Sequence, residues 1–260
     1  MGGLEGRSAV VTGAARGIGR VIAVALAEAG ADLLLCARRT DDLQDVRTEI
    51  DRIGRRSEPF DVDLRDPERV MAIGDAAEAA FGGVDVLVNN SGQGGPSAPL
   101  WEVNLADWQH TLDVNLTGAF LCCRAVLPSM IARHRGSVVL IGSVTGKRPL
   151  RHRSAYAASK LGLVGLCRTL ALDAGPYGVR VNLISPGFVA GSRLDWVIAR
   201  QAEAQGRPDV EIRAEFEGQA CMGRLVSASE VAAAVVFLAS DAANGITGVD
   251  LNVAAGAVMY

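Results

Sequence analysis

Short apolar runs alternate along the chain with longer segments in which apolar residues recur at the spacing of one helix face. The apolar runs predict strands at 9–12, 32–36, 58–60, 84–89, 137–141, 179–184 and 249–253. The periodic segments predict helices at 18–29, 42–53, 67–81, 106–133, 154–174 and 230–238. Because the strand sequences are continuously apolar, we expect both of their faces to be buried. The pattern therefore predicts an α/β fold with a doubly wound parallel sheet in a three-layer α/β/α sandwich.

The segment 188–226 interrupts this alternation and is too long for a plain connection in a compact domain. Within it, Leu194, Val197 and Ile198 have the spacing of one face of an amphipathic helix. We expect an insertion that folds over the substrate as a lid. The alternative is that these side chains simply pack on the domain or on a neighbouring subunit.

Composition and charge fit a single domain spanning residues 1–260. Hydrophobic residues make up 49% of the chain, enough for a large core, and the net charge is −3. A nucleic-acid-binding protein usually shows a clustered basic excess, which this charge balance disfavours. The strongly apolar stretches are shorter than a bilayer requires, and no signal-peptide pattern precedes the first strand. We expect a cytoplasmic protein that binds neither nucleic acid nor a membrane.

Cysteine and histidine residues are arranged without the spacing of metal ligands. The five cysteines form no CxxC pair, and the three histidines are scattered. Each cysteine lies in an apolar sequence context, so we expect all five to be buried and unreactive. The sequence therefore predicts chemistry that uses no metal.

The first predicted strand runs directly into a glycine-rich turn that opens the first predicted helix. The turn reads Thr12-Gly13-Ala14-Ala15-Arg16-Gly17-Ile18-Gly19. Glycines let the backbone approach a pyrophosphate closely, and the N–H groups and dipole of a helix N-terminus favour its negative charge. A plain structural turn is the alternative, but the position between strand and helix favours a dinucleotide site.

The spacing TGxxxGxG in this turn resembles that of the short-chain dehydrogenase/reductase family. Further motifs of the family follow in its order: Asn89-Asn90-Ser91-Gly92, Asn115, Ser143, Tyr156 with Lys160, and Pro186-Gly187. The resemblance covers essentially the whole chain, and it implies a Rossmann-type domain that assembles as a homotetramer. Two positions depart from the family. Gly191 stands where a threonine commonly helps to hold the nicotinamide, and residues 252–256 replace the usual Asp-Gly-Gly.

The resemblance also implies a cofactor site and a catalytic group. The cofactor residues would be Gly13, Arg16, Gly17, Ile18, Gly19, Arg38, Asp61, Val62, Asn89, Ser91, Gly92, Tyr156, Lys160, Pro186, Gly187 and Val189. Of these, Asp61 and Val62 would contact adenine, and Lys160 would hold the nicotinamide ribose. The catalytic residues would be Asn115, Ser143, Tyr156 and Lys160, with Asn115 supporting a water relay that leads from Lys160.

The same catalytic residues can be argued from chemistry. Reduction of a ketone needs a proton for the oxygen, and a tyrosine with its ordinary pKa of about 10 exchanges protons poorly at neutral pH. A nearby ammonium favours the phenolate, and Tyr156 and Lys160 share a helix face four residues apart. Ser143, at a strand end, can orient the carbonyl. An exposed helix pair is the alternative for Tyr156 and Lys160 taken alone.

The end of the second predicted strand indicates which nicotinamide cofactor is bound. An acidic residue there selects NAD, whereas an arginine accommodates the 2′-phosphate of NADP. Ala37 occupies the position of the acid, Arg38 follows it, and Arg16 is placed to face the same phosphate. We therefore expect NADP(H), with NAD(H) as the alternative. A solvated helix start is the other interpretation of Arg38 and Arg39.

The expected reaction is the NADP(H)-dependent interconversion of a ketone and a secondary alcohol, as in 3-oxoacyl-thioester or general carbonyl reductases. One alternative is an NAD-dependent polyol, sugar or steroid dehydrogenase of the same family. A remote one is a non-catalytic NADP(H)-binding regulator, which the presence of Tyr156 and Lys160 disfavours. The basic segment 147–153 suggests an anionic substrate or carrier, although a solvated loop or a subunit contact is favoured over that interpretation.

Overall fold

The computed structural model describes residues 3–260, except for the side chains of Arg200 and Ala204. Its strands are β1 (Ser8–Thr12), β2 (Asp32–Ala37), β3 (Ser57–Asp61), β4 (Val86–Asn89), β5 (Gly136–Ile141), β6 (Val179–Pro186) and β7 (Asp250–Val253). Its α-helices are α1 (Gly17–Glu28), α2 (Gln44–Ile53), α3 (Pro67–Phe81), α4 (Leu105–Leu112), α5 (Gly118–Ala132), α6 (Ser154–Ala174), α7 (Ser192–Gln205), α8 (Asp209–Gly218) and α9 (Ala228–Ala239). A π-helical segment, Asp113–Thr117, joins α4 to α5.

The strands form one parallel sheet in the order β3-β2-β1-β4-β5-β6-β7. The connections run outwards from β1 in one direction and from β4 in the other, so the strand order reverses between these two neighbours. Ligands of open parallel sheets bind outside the carboxyl ends of the strands at this switch point. The topology therefore places a binding crevice at the ends of β1 and β4.

Helices cover both faces of the sheet. On one face α1, α2 and α9 bury a core that includes Ile22 and Val231. On the other face α3, α5 and α6 bury a second core that includes Val126 and Leu163. The predicted three-layer α/β/α sandwich with a doubly wound parallel sheet is confirmed.

Two helix starts follow from local sequence signals. The Asp66 carboxylate accepts a hydrogen bond from the Arg69 N–H, and Pro67 occupies the first position of α3, where a missing N–H costs nothing. Ser227 and Glu230 form a reciprocal capping box at the start of α9. Both helix starts are therefore stabilised by the residues that predict them.

The predicted helix 106–133 corresponds to one continuous helical stretch, Leu105–Ala132, whose middle turn is π-helical. The π-helical segment inserts an extra residue between α4 and α5, and a binary apolar pattern does not register such an insertion. The expectation that every apolar stretch is too short for a bilayer needs correction. Leu105–Ala132 is long enough, and an 18-residue window within it has a mean hydropathy of 1.4. It nevertheless packs against α3 and α6 within the sandwich, as a core helix does.

The cysteines do not all lie in the core. Cys36, Cys122, Cys123 and Cys167 are buried, whereas Cys221 is exposed, so the expectation is wrong for Cys221. Its apolar neighbours in sequence do not bury it, because it lies in a turn where its thiol contacts the Gly256 carbonyl. Within residues 3–260, no group of three or more histidine, cysteine, aspartate or glutamate side chains is placed to hold a metal ion.

Candidate active site

The glycine-rich turn connects β1 to α1 at the switch point of the sheet. Gly13 and Gly17 have φ values of 66° and 57°, which are strained for residues with a Cβ atom. Gly19 is required for a different reason, since a Cβ there would lie 2.1 Å from the Gly13 carbonyl oxygen. The first turn of α1 therefore packs directly against the preceding loop.

The turn is held by the end of β4. The buried Thr12 hydroxyl accepts hydrogen bonds from the Asn90 and Ser91 N–H groups, both at 3.0 Å. The Asn90 side-chain amide donates to the Thr12 carbonyl at 2.9 Å and to the Gly13 carbonyl at 3.2 Å. Sequence reasoning missed this role of Asn90, although its place in the Asn89-Asn90-Ser91-Gly92 motif was a usable signal.

The start of α1 has the features that a dinucleotide needs. Its N-cap, Arg16, is extended and provides no side-chain hydrogen bond to the helix, so the first N–H groups of α1 are left for an anion. A Cβ at Gly17 would meet no atom within 4 Å, so this glycine leaves the outer surface of the turn open, whereas a Cβ at Gly13 would lie 2.9 Å from the Ser91 hydroxyl oxygen. The main chain from Gly13 to Gly19, including Ile18, therefore fits a pyrophosphate.

The adenosine end of a cofactor is predicted to lie at the ends of β2 and β3, where Ala37 pairs with Asp61 in the sheet register. Arg39 is bound by Asp42 through hydrogen bonds of 2.5 and 3.3 Å. Arg38 is exposed and makes no salt bridge with any residue that the structure describes, and the same holds for Arg16. Arg39 is the main reason why the pKa of Asp42 is lowered, and the fields of Arg16 and Arg38 contribute to that lowering.

The two predicted adenine contacts differ in their surroundings. The Asp61 carboxylate accepts a hydrogen bond from Arg69 at 2.6 Å, and the Arg69 guanidinium also stacks 4.0 Å from the Phe60 ring centroid. Val62 is buried, and its N–H donates to the Ala37 carbonyl at 2.7 Å. Residues 61 and 62 are thus tied to the end of β2, where the adenosine ribose is expected.

The predicted catalytic residues Ser143, Tyr156 and Lys160 lie just after β5 and in the first two turns of α6. Ser143 follows β5, and its hydroxyl accepts a hydrogen bond from the Thr145 N–H at 3.1 Å. Tyr156 and Lys160 lie one turn apart on α6, with the Lys160 Nζ 5.8 Å from the Tyr156 ring centroid. Lys160 is 5% exposed, and its Nζ donates to the Ile141 carbonyl at 2.8 Å. Burial lowers the pKa of Lys160, an effect that Tyr156 partly offsets.

Asn115 lies in the π-helical segment, an irregularity that occurs often at functional sites. It is 1% exposed, and its amide exchanges hydrogen bonds with the backbone of Gln93, at 2.8 and 2.9 Å. It also donates to the Ser159 hydroxyl at 3.0 Å. A Cβ at Gly92 would lie 3.3 Å from the Lys160 Nζ and 3.4 Å from the Asn115 Oδ1. The structure therefore brings Gly92, Asn115 and Lys160 together.

Asn89, Pro186, Gly187 and Val189, which are also predicted cofactor residues, are held by contacts within the protein. The Asn89 amide points away from the glycine-rich turn and donates to the Ala119 carbonyl on α5 at 3.2 Å. Pro186 ends β6, and the Gly187 N–H donates to the Val253 carbonyl at 2.9 Å. Val189 forms a parallel bridge with Val226. These contacts place the segment after Pro186 beside the end of β7.

Comparison with known proteins agrees with this geometry. The model of a family described as "Enoyl-(Acyl carrier protein) reductase" matches residues 13–258. Cis-4-hydroxycyclohexanecarboxylate dehydrogenase from Sinomonas cyclohexanicum is 37% identical over 250 residues, which cover 96% of each chain. The chain belongs to the short-chain dehydrogenase/reductase family.

Other short-chain dehydrogenases/reductases also match nearly the whole length of this chain. D-threitol dehydrogenase from Mycolicibacterium smegmatis is 38% identical, over 97% of this chain and 93% of its own. Carveol dehydrogenase from Mycobacterium avium, solved in complex with NAD, superposes with a TM-score of 0.93 at 31% identity and covers 99% of both chains. The chain is therefore an oxidoreductase that acts on alcohol or ketone substrates with a nicotinamide dinucleotide.

One departure from the family has a structural consequence here. Gly191, which replaces the usual threonine, has a φ of 141° and immediately precedes α7. Most side chains are strained in that conformation, so a threonine would not fit this backbone without rearrangement. Ser192, the first residue of α7, is exposed beside it.

The basic segment 147–153 of this short-chain dehydrogenase/reductase divides into two parts. Lys147 is nearly buried and forms a salt bridge of 2.8 Å with Asp250 and a hydrogen bond of 2.6 Å with Asn252. It thus joins the loop after β5 to β7. Arg153 points the other way, and its Cζ lies 5.5 Å from the Tyr156 ring centroid. The two ends of the segment therefore have different surroundings.

Proposed function

We propose that this oxidoreductase performs its chemistry at Ser143, Tyr156 and Lys160. The observation that supports this assignment best is the buried Lys160 ammonium beside the Tyr156 ring. Burial of an ammonium is costly, and perturbed, buried ionisable groups concentrate at functional sites. The alternative, a pair of exposed helix residues, would leave Lys160 in solvent, which disagrees with its 5% exposure.

Each residue of the proposed site has a separate task. A bound nicotinamide supplies or accepts the hydride. Ser143 donates a hydrogen bond that orients the substrate oxygen, and Tyr156 gives that oxygen its proton in reduction or removes it in oxidation. Lys160 places a positive charge beside the Tyr156 ring and would hold the nicotinamide ribose. Asn115, which links Gln93 to α6, supports a water relay that leads from Lys160.

The preferred cofactor is NADP(H), because the end of β2 has the charge pattern that suits a 2′-phosphate. Ala37 offers no carboxylate to a ribose hydroxyl, and Arg38 and Arg16 are exposed cations without a salt bridge to any described residue. Arg39, by contrast, is already paired with Asp42. The NAD complex of the M. avium relative keeps NAD(H) as the second candidate, and a titration with both cofactors separates the two.

The segment 188–226 acts as a lid over the substrate. Its helices α7 and α8 have a small core of their own, formed by Leu194, Ile198, Ala202 and Ile212. The bridge between Val189 and Val226 closes the base of the segment, and Gly191 provides a flexible joint before α7. Limited proteolysis tests this proposal: bound cofactor and substrate should protect 192–218 from cleavage, and unchanged cleavage would contradict closure.

The assembly is a cytoplasmic homotetramer. Phe120, Leu161 and Leu172 are large apolar side chains on α5 and α6 that are 45%, 53% and 79% exposed, as expected of surfaces covered by other subunits. Light scattering coupled to size-exclusion chromatography should give four times the mass of the chain, and a monomeric mass would contradict the proposal.

The reaction itself is tested by NADPH oxidation with a panel of ketones. The panel should contain an oxoacyl thioester, a keto sugar, a steroid ketone and 4-oxocyclohexanecarboxylate, the oxo acid that corresponds to the substrate named for the S. cyclohexanicum relative. Turnover of at least one member is expected. Failure of every ketone, and of the matching alcohols with NADP⁺ and NAD⁺, would contradict the proposed function.

A further inference from the structure

Two arginines meet next to the proposed proton-transferring residue. Arg153 immediately precedes α6, so its guanidinium lies beside Tyr156, with the Cζ 5.5 Å from the ring centroid. Arg193 is in the first turn of α7, on the lid. A Cβ at Gly94 would lie 2.9 Å from the Arg193 Nη2 and 3.2 Å from the Arg153 Nη2. Both guanidinium groups therefore converge on one point, and the glycine leaves the space that they occupy.

The local charge is unbalanced. Neither Arg153 nor Arg193 makes a salt bridge with any residue that the structure describes. The contrast with other arginines of the lid is informative, since Arg207 is paired with Glu211 and Glu215, Arg213 with Asp195, and Arg224 with Glu230. Repulsion between these two guanidinium groups is not relieved by any acidic residue that the structure describes.

The helix N-termini add positive potential around Arg153 and Arg193, and the two side chains affect each other. Arg153 and Arg193 each lie at a helix N-terminus, where the helix dipole disfavours a cation. The positive charge of Arg193 also lowers the pKa of Arg153, after burial, which is the larger cause. An anionic ligand would neutralise this positive potential beside Tyr156.

We infer that Arg153 and Arg193 bind a carboxylate of the substrate, so that the enzyme acts on compact oxo or hydroxy carboxylic acids. The inference rests on the proposed role of Tyr156, because it takes the reacting oxygen to lie within hydrogen-bond reach of that hydroxyl. Guanidinium groups suit carboxylates because they donate two parallel hydrogen bonds. With the arginines beside Tyr156, the carboxylate and the reacting carbonyl are separated by only a few bonds. In a phosphopantetheine thioester the phosphate is separated from the reacting carbonyl by the whole pantetheine arm, so such a carrier fits this arrangement poorly.

The test compares a charged ketone with its uncharged counterpart, 4-oxocyclohexanecarboxylate and its methyl ester, in wild type, Arg153→Gln and Arg193→Gln. A hydrogen bond to a charged group corresponds to roughly a ten- to hundredfold change, so each variant should lose about that factor in kcat/KM for the acid. For the ester, kcat/KM should stay within about twofold. Arg168→Gln removes the same charge from an exposed position on α6 and should change neither value.

Three results would overturn the inference and leave the proposed function intact. They are an acid-to-ester ratio that the variants do not change, an equal loss on both ketones, and a wild type that prefers the ester. An equal loss would indicate that Arg153 acts only on Tyr156.

Binding provides a readout that does not depend on turnover. Calorimetric titration should show cyclohexanecarboxylate binding the NADP⁺ complex of the wild type and weakening by roughly tenfold or more in each arginine variant. Cyclohexanecarboxamide should bind wild type and variants alike. If the wild type binds the carboxylate no better than the amide, the inference is wrong even where no ketone is turned over.

Discussion

Replacement of Lys160 by methionine should abolish activity without destabilising the fold. The chain has only two lysines, and both are largely buried: Lys160 is 5% exposed, and the side chain of Lys147 is 11% exposed. Lys160→Met loses a charge-assisted hydrogen bond to the Ile141 carbonyl, worth about 1.5–3 kcal/mol. It also removes the desolvation cost of a buried ion, which is on the order of several kcal/mol. The second effect is at least as large as the first.

We therefore expect the free energy of unfolding of the cofactor-free variant at pH 7 to equal that of wild type or to exceed it by about 1–2 kcal/mol. Turnover should fall by at least about a hundredfold, because the variant loses the cation next to Tyr156. The matched control is Lys147→Met, which leaves Asp250 without its cation and should cost about 3–5 kcal/mol. Urea denaturation of the three proteins measures these differences.

The pH dependence gives the same argument a second readout. Burial lowers the pKa of Lys160 below its ordinary value of 10.5, so the folded state binds fewer protons than the unfolded state between the two values. The destabilisation by Lys160 is complete below the folded pKa and disappears as the pH rises towards 10.5. Wild type should therefore gain stability relative to Lys160→Met as the pH rises from 7 to 10. A variant that is less stable than wild type by more than about 2 kcal/mol at pH 7, or parallel pH profiles, would refute the reasoning.

Three other substitutions test separate parts of the structure. Ala37→Asp should reverse the cofactor preference towards NADH. Arg38→Ala should weaken NADPH binding roughly ten- to hundredfold with little effect on NADH, as measured by the KM for each cofactor. A wild type that prefers NADH would contradict the NADP(H) assignment. Ala255→Gly should raise the free energy of unfolding by about 1 kcal/mol, because Ala255 has a φ of 50°, and an unchanged value would contradict that strain. Asp85→Asn should cost about 3–5 kcal/mol at pH 7, because the buried carboxylate accepts hydrogen bonds from Arg133 and Arg135. Burial raises the pKa of Asp85, but the hydrogen bonds from Ser8, Arg135 and Arg133 lower it by more, so the pKa lies below the ordinary value of 3.8. The difference in stability should therefore disappear as the pH falls from 3.8 through the pKa of the folded state. A difference that persists in acid would contradict the assignment.

Local signals in the sequence were sufficient for most of the sheet and for several helices. The bounds 67–81 and 154–174 coincide with those of α3 and α6, since Asp66-Pro67 and the apolar periodicity mark them. The predicted strand 84–89 begins two residues before β4, because Asp85 is turned towards Ser8, Arg133 and Arg135. Apolar content alone does not show that the strand begins only after this buried aspartate.

The parts of the site that could not be predicted depend on contacts between distant residues. The basic segment 147–153 has one chemical character in sequence, yet Lys147 pairs with Asp250, and Arg153 converges with Arg193 near Gly94. The segment 188–226 forms two helices with a shared core, whereas the apolar spacing indicated only the first. The π-helical turn around Asn115 adds one residue within a helix that is apolar on both sides of it. None of these arrangements has a local sequence signature.

The assignment of Tyr156 as the proton-transferring residue is the central claim, and Tyr156→Phe tests it most directly. The substitution keeps the ring on α6 and removes only the hydroxyl. Single-turnover measurements with bound NADPH and a ketone that wild type reduces should show a loss of about 10² to 10⁴ in rate, with the NADPH dissociation constant changed by less than about twofold. Tyr177→Phe, at a position that is 43% exposed, should behave like wild type. A Tyr156→Phe enzyme that retained most of its rate would contradict the account.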